Sequence, residues 1–196
     1  MTHKSFIITA LSTAVLILFS NCGGKPSQPQ TVTEEATQSE TPTFLTAIEN
    51  YLATEIGGMS PQADHCIPSY TIVESDISDT SDIRVWGDWW VFSYNLVGDT
   101  LKTVSGGNHP GLFHVQKIND EYTITNFEQV GDGSEYLPSA QRIFGNYYTD
   151  FQQISNNSEL READRANAIA EYVKKHGLKA TVYQDYGWPA VPLKID

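Results

Sequence analysis

Residues 83–97 read IRVWGDWWVFSYNLV, and this stretch decides the fold. Apolar side chains occupy both phases of its two-residue repeat, which predicts a strand that is covered on both faces. The length of the stretch predicts strong curvature, with Gly87 as the candidate bulge or bend. One phase holds Trp86, Trp90, Phe92, Tyr94 and Leu96, and the other holds Val85, Trp89 and Val91.

Further stretches rich in β-branched and aromatic residues flank this strand. They cover residues 70–73, 101–104, 112–118 and 122–130. Two-residue loops at Gly98-Asp99 and Asn119-Asp120 are typical of β-hairpins, so neighbouring strands are expected to pair antiparallel. The sequence therefore predicts a curved antiparallel meander of four or five strands.

A helix is predicted before the strands. Pro42 fits its first position, and apolar residues recur at three- and four-residue spacing until Gly57 and Gly58 end the pattern. The result is an amphipathic helix of about 14 residues with one face to bury.

Helices are also predicted after the strands. Pro138 begins a short helix, a second turn or helix follows Gly145, and Ser158 caps a longer helix that ends at His176. Residues 180–195 are expected to form a strand or an extended strap. The inner stripe of the longer helix is predicted to be Leu160, Ala163, Asn167, Ala170 and Val173.

The chain begins with a targeting segment. Residues 6–19 form a nearly unbroken apolar run that stops just before Cys22. A membrane-spanning helix is the alternative, but it needs about 20 apolar residues, several more than this run provides. An ordinary secretory leader, which would leave Cys22 as a free thiol, is the other alternative.

The segment Leu18-Phe19-Ser20-Asn21-Cys22 resembles the lipobox of bacterial lipoprotein signal peptides. This resemblance implies cleavage before Cys22 and attachment of a diacylglycerol and an N-acyl chain (palmitate or a similar acid) to it. Several acyl chains give lasting membrane attachment, whereas one chain binds only marginally. Gly23, in place of Asp, is compatible with the outer membrane rather than the inner one.

Three segments follow from this interpretation: a lipoprotein signal peptide over 1–21, a tether over 22–41 and a single α+β domain over 42–196. Residues 23–41 have scarcely an apolar side chain, so burial of apolar surface cannot offset the conformational entropy that they would lose on folding. Such a tether of roughly 20 residues would reach about 25 Å.

The net charge of the chain limits the classes of partner that we expect it to bind. The chain carries a formal charge of -12. Nucleic acids and anionic lipid surfaces are bound by clustered Lys and Arg, so this balance disfavours nucleic acid and leaves the lipid anchor as the membrane contact. With Cys22 acylated, Cys66 has no partner for a disulfide, and we interpret it as a small buried apolar residue rather than a reactive thiol.

No motif predicts a cofactor, a metal or a catalytic residue. The histidines show no zinc-ligand spacing, and Gly106-Gly107-Asn108 lacks the lysine of a phosphate loop. The acidic stretch from Asp132 to Glu135 lacks the twelve-residue spacing of an EF-hand.

The candidate binding residues are Trp188 and Tyr186 in the tail, with His109 and Asp88. Flat aromatic faces stack on sugars and anchor protein partners, and Trp188 is the aromatic residue most expected to be exposed. Asp88, His109 or His114 are the acid or base of the alternative described below.

A leading amphipathic helix followed by a curved meander resembles the cystatin-like and nuclear transport factor 2-like (NTF2-like) α+β group, in which the sheet wraps the helix. Residues 106–144 also resemble segments of secreted or lipid-anchored bacterial domains. The resemblance covers about a fifth of the chain and transfers no catalytic residue, because folds of this group host enzymes, binders and scaffolds alike.

The sequence therefore predicts a lipid-anchored protein of the bacterial cell envelope. We expect a non-enzymatic binding or accessory module for a protein, a peptide or a glycan. The alternatives are a small envelope hydrolase or ligand-binding enzyme that uses the open end of the curved sheet, and a passive structural lipoprotein.

Overall fold

The structure is a computed structural model that describes residues 43–59 and 63–195. The predicted signal peptide over 1–21, the anchor Cys22, the tether over 22–41 and Pro42 lie outside these residues. The described part is an α+β fold, as predicted: a mixed, unclosed sheet with helices against both faces.

The central strand, β2 (Ile83–Val97), has the predicted bounds. β1 (His65–Asp76) pairs with it antiparallel along one side. On the other side, β4 (Gly111–Ile118) pairs with the first half of β2 and β3 (Thr100–Asn108) pairs with the second half. β5 (Glu121–Gln129) then pairs with β4. One strand of fifteen residues thus organises two branches of the sheet.

The five strands β1–β5 pair antiparallel, as predicted, but the predicted meander order is wrong. The described residues form a sheet of seven strands, in which β4 returns to β2 instead of pairing with β3. The tail adds β6 (Val182–Gln184), which is parallel to β3, and β7 (Val191–Pro192), which is antiparallel to β6. The strap prediction is therefore confirmed, and the parallel β3–β6 pair makes the sheet mixed.

Both predicted two-residue hairpin loops are confirmed. Gly98 has φ 67°, and Asn119 and Asp120 have φ 51° and 65°. Positive φ at these central positions matches the twist of the flanking strands, which is why Gly, Asn and Asp are favoured there.

Gly87 is not a bulge of β2, because the register shift lies in β1 between Ile72 and Glu74. A Cβ atom at Gly87 would overlap the ring of Trp89. The glycine thus makes room for the tryptophan two residues further along the same face.

One face of the sheet, which we call the α1 face, is covered by α1 (Phe44–Tyr51) and the π-helical turn Leu52–Ile56. Thr43 caps α1, and its side chain accepts a hydrogen bond from the backbone N–H of Thr46 at 3.2 Å. The fully buried core of this face comprises Ile48, Leu52, Val85, Trp89, Phe113 and Val115. The predicted amphipathic N-terminal helix is confirmed, but its first residue is Phe44, after the cap Thr43, and not the predicted Pro42.

The opposite face, which we call the α4 face, is covered by α2 (Tyr136–Phe144), α3 (Tyr148–Ser155) and α4 (Ser158–Lys175). α2 and α3 pack on Trp86 and Leu112. Phe92 and Tyr94 of β2 form a second cluster there with α4 and β6. Both phases of β2 are therefore buried, as its sequence predicts.

Two predictions about α4 are wrong. Asn157, not Ser158, is the cap, and its side chain accepts from the backbone N–H of Leu160 at 3.0 Å. The buried stripe is Arg165, Ile169 and Val173, whereas Ala163 and Asn167 are exposed. The predicted stripe lies on a different side of the helix from the buried one. The buried stripe includes an arginine, and a hydrophobicity pattern assigns arginine to the solvent side.

No helix within residues 43–59 and 63–195 combines the length and the apolar character needed to cross a membrane.

Candidate functional site

The tail ends in a hairpin that presents two aromatic side chains to solvent. Tyr186 is 97% exposed and Trp188 is 71% exposed. The turn is held by two hydrogen bonds: Trp188 N–H donates to the Asp185 carbonyl at 3.1 Å, and Gln184 Nε2 donates to the Trp188 carbonyl at 2.9 Å. Gly187, between Tyr186 and Trp188, has φ 78°, a conformation that favours glycine. We call residues 185–189 the aromatic hairpin.

A buried arginine anchors this hairpin from below. Arg165 of α4 is 4% exposed and forms a bidentate pair with Asp185, at 2.9 Å from Nη1 and 2.6 Å from Nη2. Arg165 Nε donates to the hydroxyl of Tyr94 at 2.9 Å, and Nη2 donates to Thr103 Oγ1 at 2.9 Å. The hydroxyl of Thr103 donates in turn to Asp185 at 2.5 Å. The residue just before Tyr186 is thus bonded to both α4 and β3.

Aromatic rings enclose the guanidinium group. Its central carbon lies 4.1 Å from the ring centroid of Phe92, 4.9 Å from that of Tyr183 and 5.7 Å from that of Tyr94. Such cation–π contacts are stronger when the cation is desolvated. The hydrogen bond from Arg165 lowers the pKa of the Asp185 carboxyl below its usual value, and the bond from Thr103 acts in the same direction. The pair is therefore charged at neutral pH, which holds the base of the hairpin.

An anchored hairpin of this kind is suited to binding. Aromatic side chains offer large contact areas with few rotatable bonds, and a rigid support reduces the entropy lost when they are covered.

Asp88 is buried and already engaged. It is 4% exposed, and its carboxylate accepts hydrogen bonds from Asn108 Nδ2 at 2.7 Å and Trp90 Nε1 at 3.1 Å. It lies on the α4 face, in a shallow cleft that Arg161 and Asp164 also line.

His109 lies on the α1 face. Its ring occupies the space that a Cβ atom at Gly107 would need. Nδ1 is buried and has no hydrogen-bond partner among the described residues. Burial lowers the pKa of this imidazole, although Gln129 opposes the shift. Asp88 and His109 lie on opposite faces of the sheet, so the structure does not bring them together as an acid and a base, and neither belongs to the aromatic hairpin.

His114 connects two strands through carboxylates. Its Nδ1 lies 2.7 Å from Asp82 Oδ1, and its Nε2 lies 3.2 Å from Glu128 Oε1. Glu128 also accepts from Arg142 at 2.9 Å. This network joins β4, β5 and α2, so we assign His114 a structural role.

Cys66 packs beside the α1-face core and is partly exposed. Burial raises the pKa of its thiol, and a bond with Ser93 opposes that shift only in part. A raised pKa disfavours the thiolate, which is the nucleophilic form.

Arg165 is the residue of this site that sequence reasoning missed. Its signal was its spacing, because it lies four and eight residues before Ile169 and Val173 on the same helical face. Comparisons with protein-family models, curated proteins and solved structures found no match. The functional argument therefore rests on the site itself.

Proposed function

We propose that the protein is a lipid-anchored module of the bacterial cell envelope that binds a partner protein, peptide or glycan without catalysing a reaction, and that the aromatic hairpin is its contact surface. The observation that carries the proposal is the exposure of Tyr186 and Trp188 directly beside Asp185, which pairs with the buried Arg165. Large aromatic side chains are costly to leave in water, so two of them on a fixed hairpin favour a role in recognition.

The anchor is supported by the sequence alone. The apolar leader and its following cysteine resemble a lipobox, and residues 23–41 have the composition of a tether. We propose attachment through Cys22, with the outer membrane favoured over the inner one.

The fold relationship is likewise a proposal. An amphipathic α1 that packs on one face of an antiparallel core supports a cystatin-like or NTF2-like relationship. The tail strands and the three helices on the α4 face would be additions to such a unit.

Mass spectrometry of the protein produced in a bacterial host tests the anchor. We expect the mature chain to begin at Cys22 with its added acyl mass, and Cys22→Ser to release the protein from the membrane fraction. An unacylated first residue, or a Cys22→Ser variant that stays membrane-bound, would contradict the anchor.

Capture from envelope extracts by the full chain in detergent tests the contact surface. We expect at least a tenfold loss of the captured component for Tyr186→Ser combined with Trp188→Ser. The matched control replaces Leu137 and Ile118, which are 52% and 53% exposed elsewhere on the domain, by serine and should capture as the parent does. Equal losses for both double variants, or no captured component, would count against the proposal.

A further inference from the structure

A cavity of about 200 Å³ lies on the α1 face, between the second half of β2 and the helical turns that follow α1. Its apolar lining comes from Val91 of β2 and from Ile56 and Met59 of those turns. Its polar lining includes Ser93 and His109. Val91 also belongs to the buried core of this face, so the cavity begins where that core ends.

The cavity has the size of a small ring compound. A cavity of about 150 Å³ with an apolar lining is large enough to bind benzene inside a protein. The volume here therefore accommodates one six-membered ring with one or two small substituents. It is too small for an acyl chain of a membrane lipid or for several residues of a peptide.

The lining favours a neutral ligand. Among the described residues that line the cavity, none carries a charged side chain. A carboxylate or an ammonium group in this space would lose hydration without gaining an opposite charge, which costs more than burial of a neutral group. The formal charge of -12 adds repulsion for an anion.

His109 supplies a polar group at one end of the cavity. A Cβ atom at Gly107, which also belongs to the lining, would lie 2.7 Å from Nε2 of His109, so Nε2 is the ring nitrogen at the cavity. Burial lowers the pKa of His109 below its usual value, and the imidazole is therefore neutral at pH 7. A neutral imidazole nitrogen donates or accepts according to the tautomer, and a hydroxyl group pairs with it in both cases.

Met59 favours an aromatic ring over an aliphatic one. Its side chain lines the cavity and is nevertheless 69% exposed. A thioether contacts aromatic rings favourably, and its rotatable bonds let it adapt to the shape of a ligand. A phenol combines the ring and the hydroxyl in one neutral molecule.

We propose that this cavity binds a small neutral phenol, a single aromatic ring whose hydroxyl pairs with the imidazole of His109. The ring lies against the apolar surface of Ile56, Met59 and Val91. This site goes beyond the proposed function, because no residue of the aromatic hairpin lines the cavity. The two proposals therefore stand or fail independently.

Nuclear magnetic resonance with fluorinated ring compounds tests the proposal. The probe is 4-fluorophenol, added to the full chain in detergent, with its free concentration measured by equilibrium dialysis because detergent also takes up ring compounds. We expect a Kd of about 1 mM or below and a shift of the labelled methyl signal of Met59. Met59 is one of two methionines in the chain, and Met59→Leu assigns its signal.

Two further compounds test the chemistry of the ligand. 4-Fluorotoluene has nearly the same shape but a methyl group in place of the hydroxyl, and it should bind at least fivefold more weakly because it leaves the imidazole unpaired. N-acetyltyrosinamide carries the same phenol on a peptide-like backbone. It should bind at least tenfold more weakly than 4-fluorophenol, because its backbone exceeds the volume of the cavity.

Matched variants separate the hydrogen bond from burial of the ring. His109→Phe should remove the preference for 4-fluorophenol over 4-fluorotoluene, whereas His176→Phe, at the exposed end of α4, should retain it. Met59→Ala should weaken both compounds at least threefold, and Leu137→Ala, at a site that is 52% exposed, should change neither. The labelled imidazole signal of His109 in the parent gives a second measurement if His109→Phe does not fold: it should shift with 4-fluorophenol and not with 4-fluorotoluene.

Three results would overturn the inference: no shift of the Met59 signal at millimolar 4-fluorophenol, equal binding of the phenol and the toluene, or a preference that survives His109→Phe. Tighter binding of 4-fluorobenzoate or 4-fluorobenzylamine would show a site for charged ligands and would also overturn it. Tighter binding of N-acetyltyrosinamide would assign the cavity to a tyrosine of a partner peptide instead. The double serine variant at Tyr186 and Trp188 should bind 4-fluorophenol as the parent does, which separates this site from the aromatic hairpin.

Discussion

Arg165 and Asp185 are joined by two parallel hydrogen bonds, at 2.9 and 2.6 Å, although twenty residues separate them in the chain. Arg165 is almost fully buried in the α4 face, whereas the side chain of Asp185 is 41% exposed. The pair joins the longest helix to the base of the aromatic hairpin, and Thr103 extends the connection to β3. The charged contact thus fixes Asp185, the residue just before the exposed Tyr186.

Arg165→Met is expected to destabilise the domain by about 2–3 kcal/mol, because it leaves the fully buried Tyr94 hydroxyl without its donor and the partly exposed Asp185 carboxylate with only the bond from Thr103. Urea denaturation monitored by circular dichroism measures the change. Arg142→Met is the control, since Arg142 is 64% exposed and pairs with Glu128 at the surface, where a pair contributes less than about 1 kcal/mol. Equal effects of the two variants would show that the Arg165 network does not stabilise the fold.

Acid should remove the contribution of the Asp185 carboxylate. Because the pKa of Asp185 is lowered in the folded state, its carboxylate stabilises the fold above the unfolded-state pKa of about 3.9. That contribution is lost as pH falls through the lower folded-state pKa. The difference in unfolding free energy between the parent and Asp185→Asn should therefore be largest near pH 7 and shrink below about pH 4. A difference that is constant between pH 3 and pH 7 would contradict this linkage.

Gly57→Ala should destabilise the domain by about 1–3 kcal/mol, because its Cβ would overlap the Sγ atom of Cys66 in the packed α1 face. Gly58→Ala is the matched control, since a Cβ at Gly58 meets nothing within 4 Å. Thermal unfolding of the two variants compares them directly. Adding Cys66→Ala to Gly57→Ala should recover part of the loss; no recovery would assign the effect to the backbone instead.

Asn157→Ala should cost about 1 kcal/mol, because the N-terminus of α4 loses the side chain that accepts from Leu160 N–H. Ser158→Ala should change the unfolding free energy by less than about 0.5 kcal/mol. Chemical denaturation of the two variants distinguishes the observed cap from the one predicted by sequence. The opposite order of effects would restore Ser158 as the cap.

The features that the sequence predicted correctly are those with local causes. Apolar residues in both phases of residues 83–97 require cover on both faces wherever the strand is placed. Asn119 and Asp120 adopt positive φ because a two-residue loop between antiparallel strands requires it. The exposure of Trp188 followed from its place in a short tail beside a proline.

The errors concern contacts between residues that are distant in the chain. Nothing in residues 111–118 distinguishes pairing with β3 from pairing with β2, since both arrangements bury the same face. Arg165 has the helical spacing of a core residue, but its charge assigns it to solvent until Asp185, Tyr94 and Thr103 are known to surround it. Hydrophobic patterning does not recognise a buried charge, because the groups that compensate its desolvation lie on other elements.

By itself, the sequence determined the positions of the long central strand, the N-terminal helix and the hairpin loops, because turn geometry and side-chain periodicity act over a few residues. Only the tertiary structure decided which strand β4 joins and that Arg165 is buried against Asp185. Those features depend on which distant surfaces meet, and that choice is made by the packing of the whole domain.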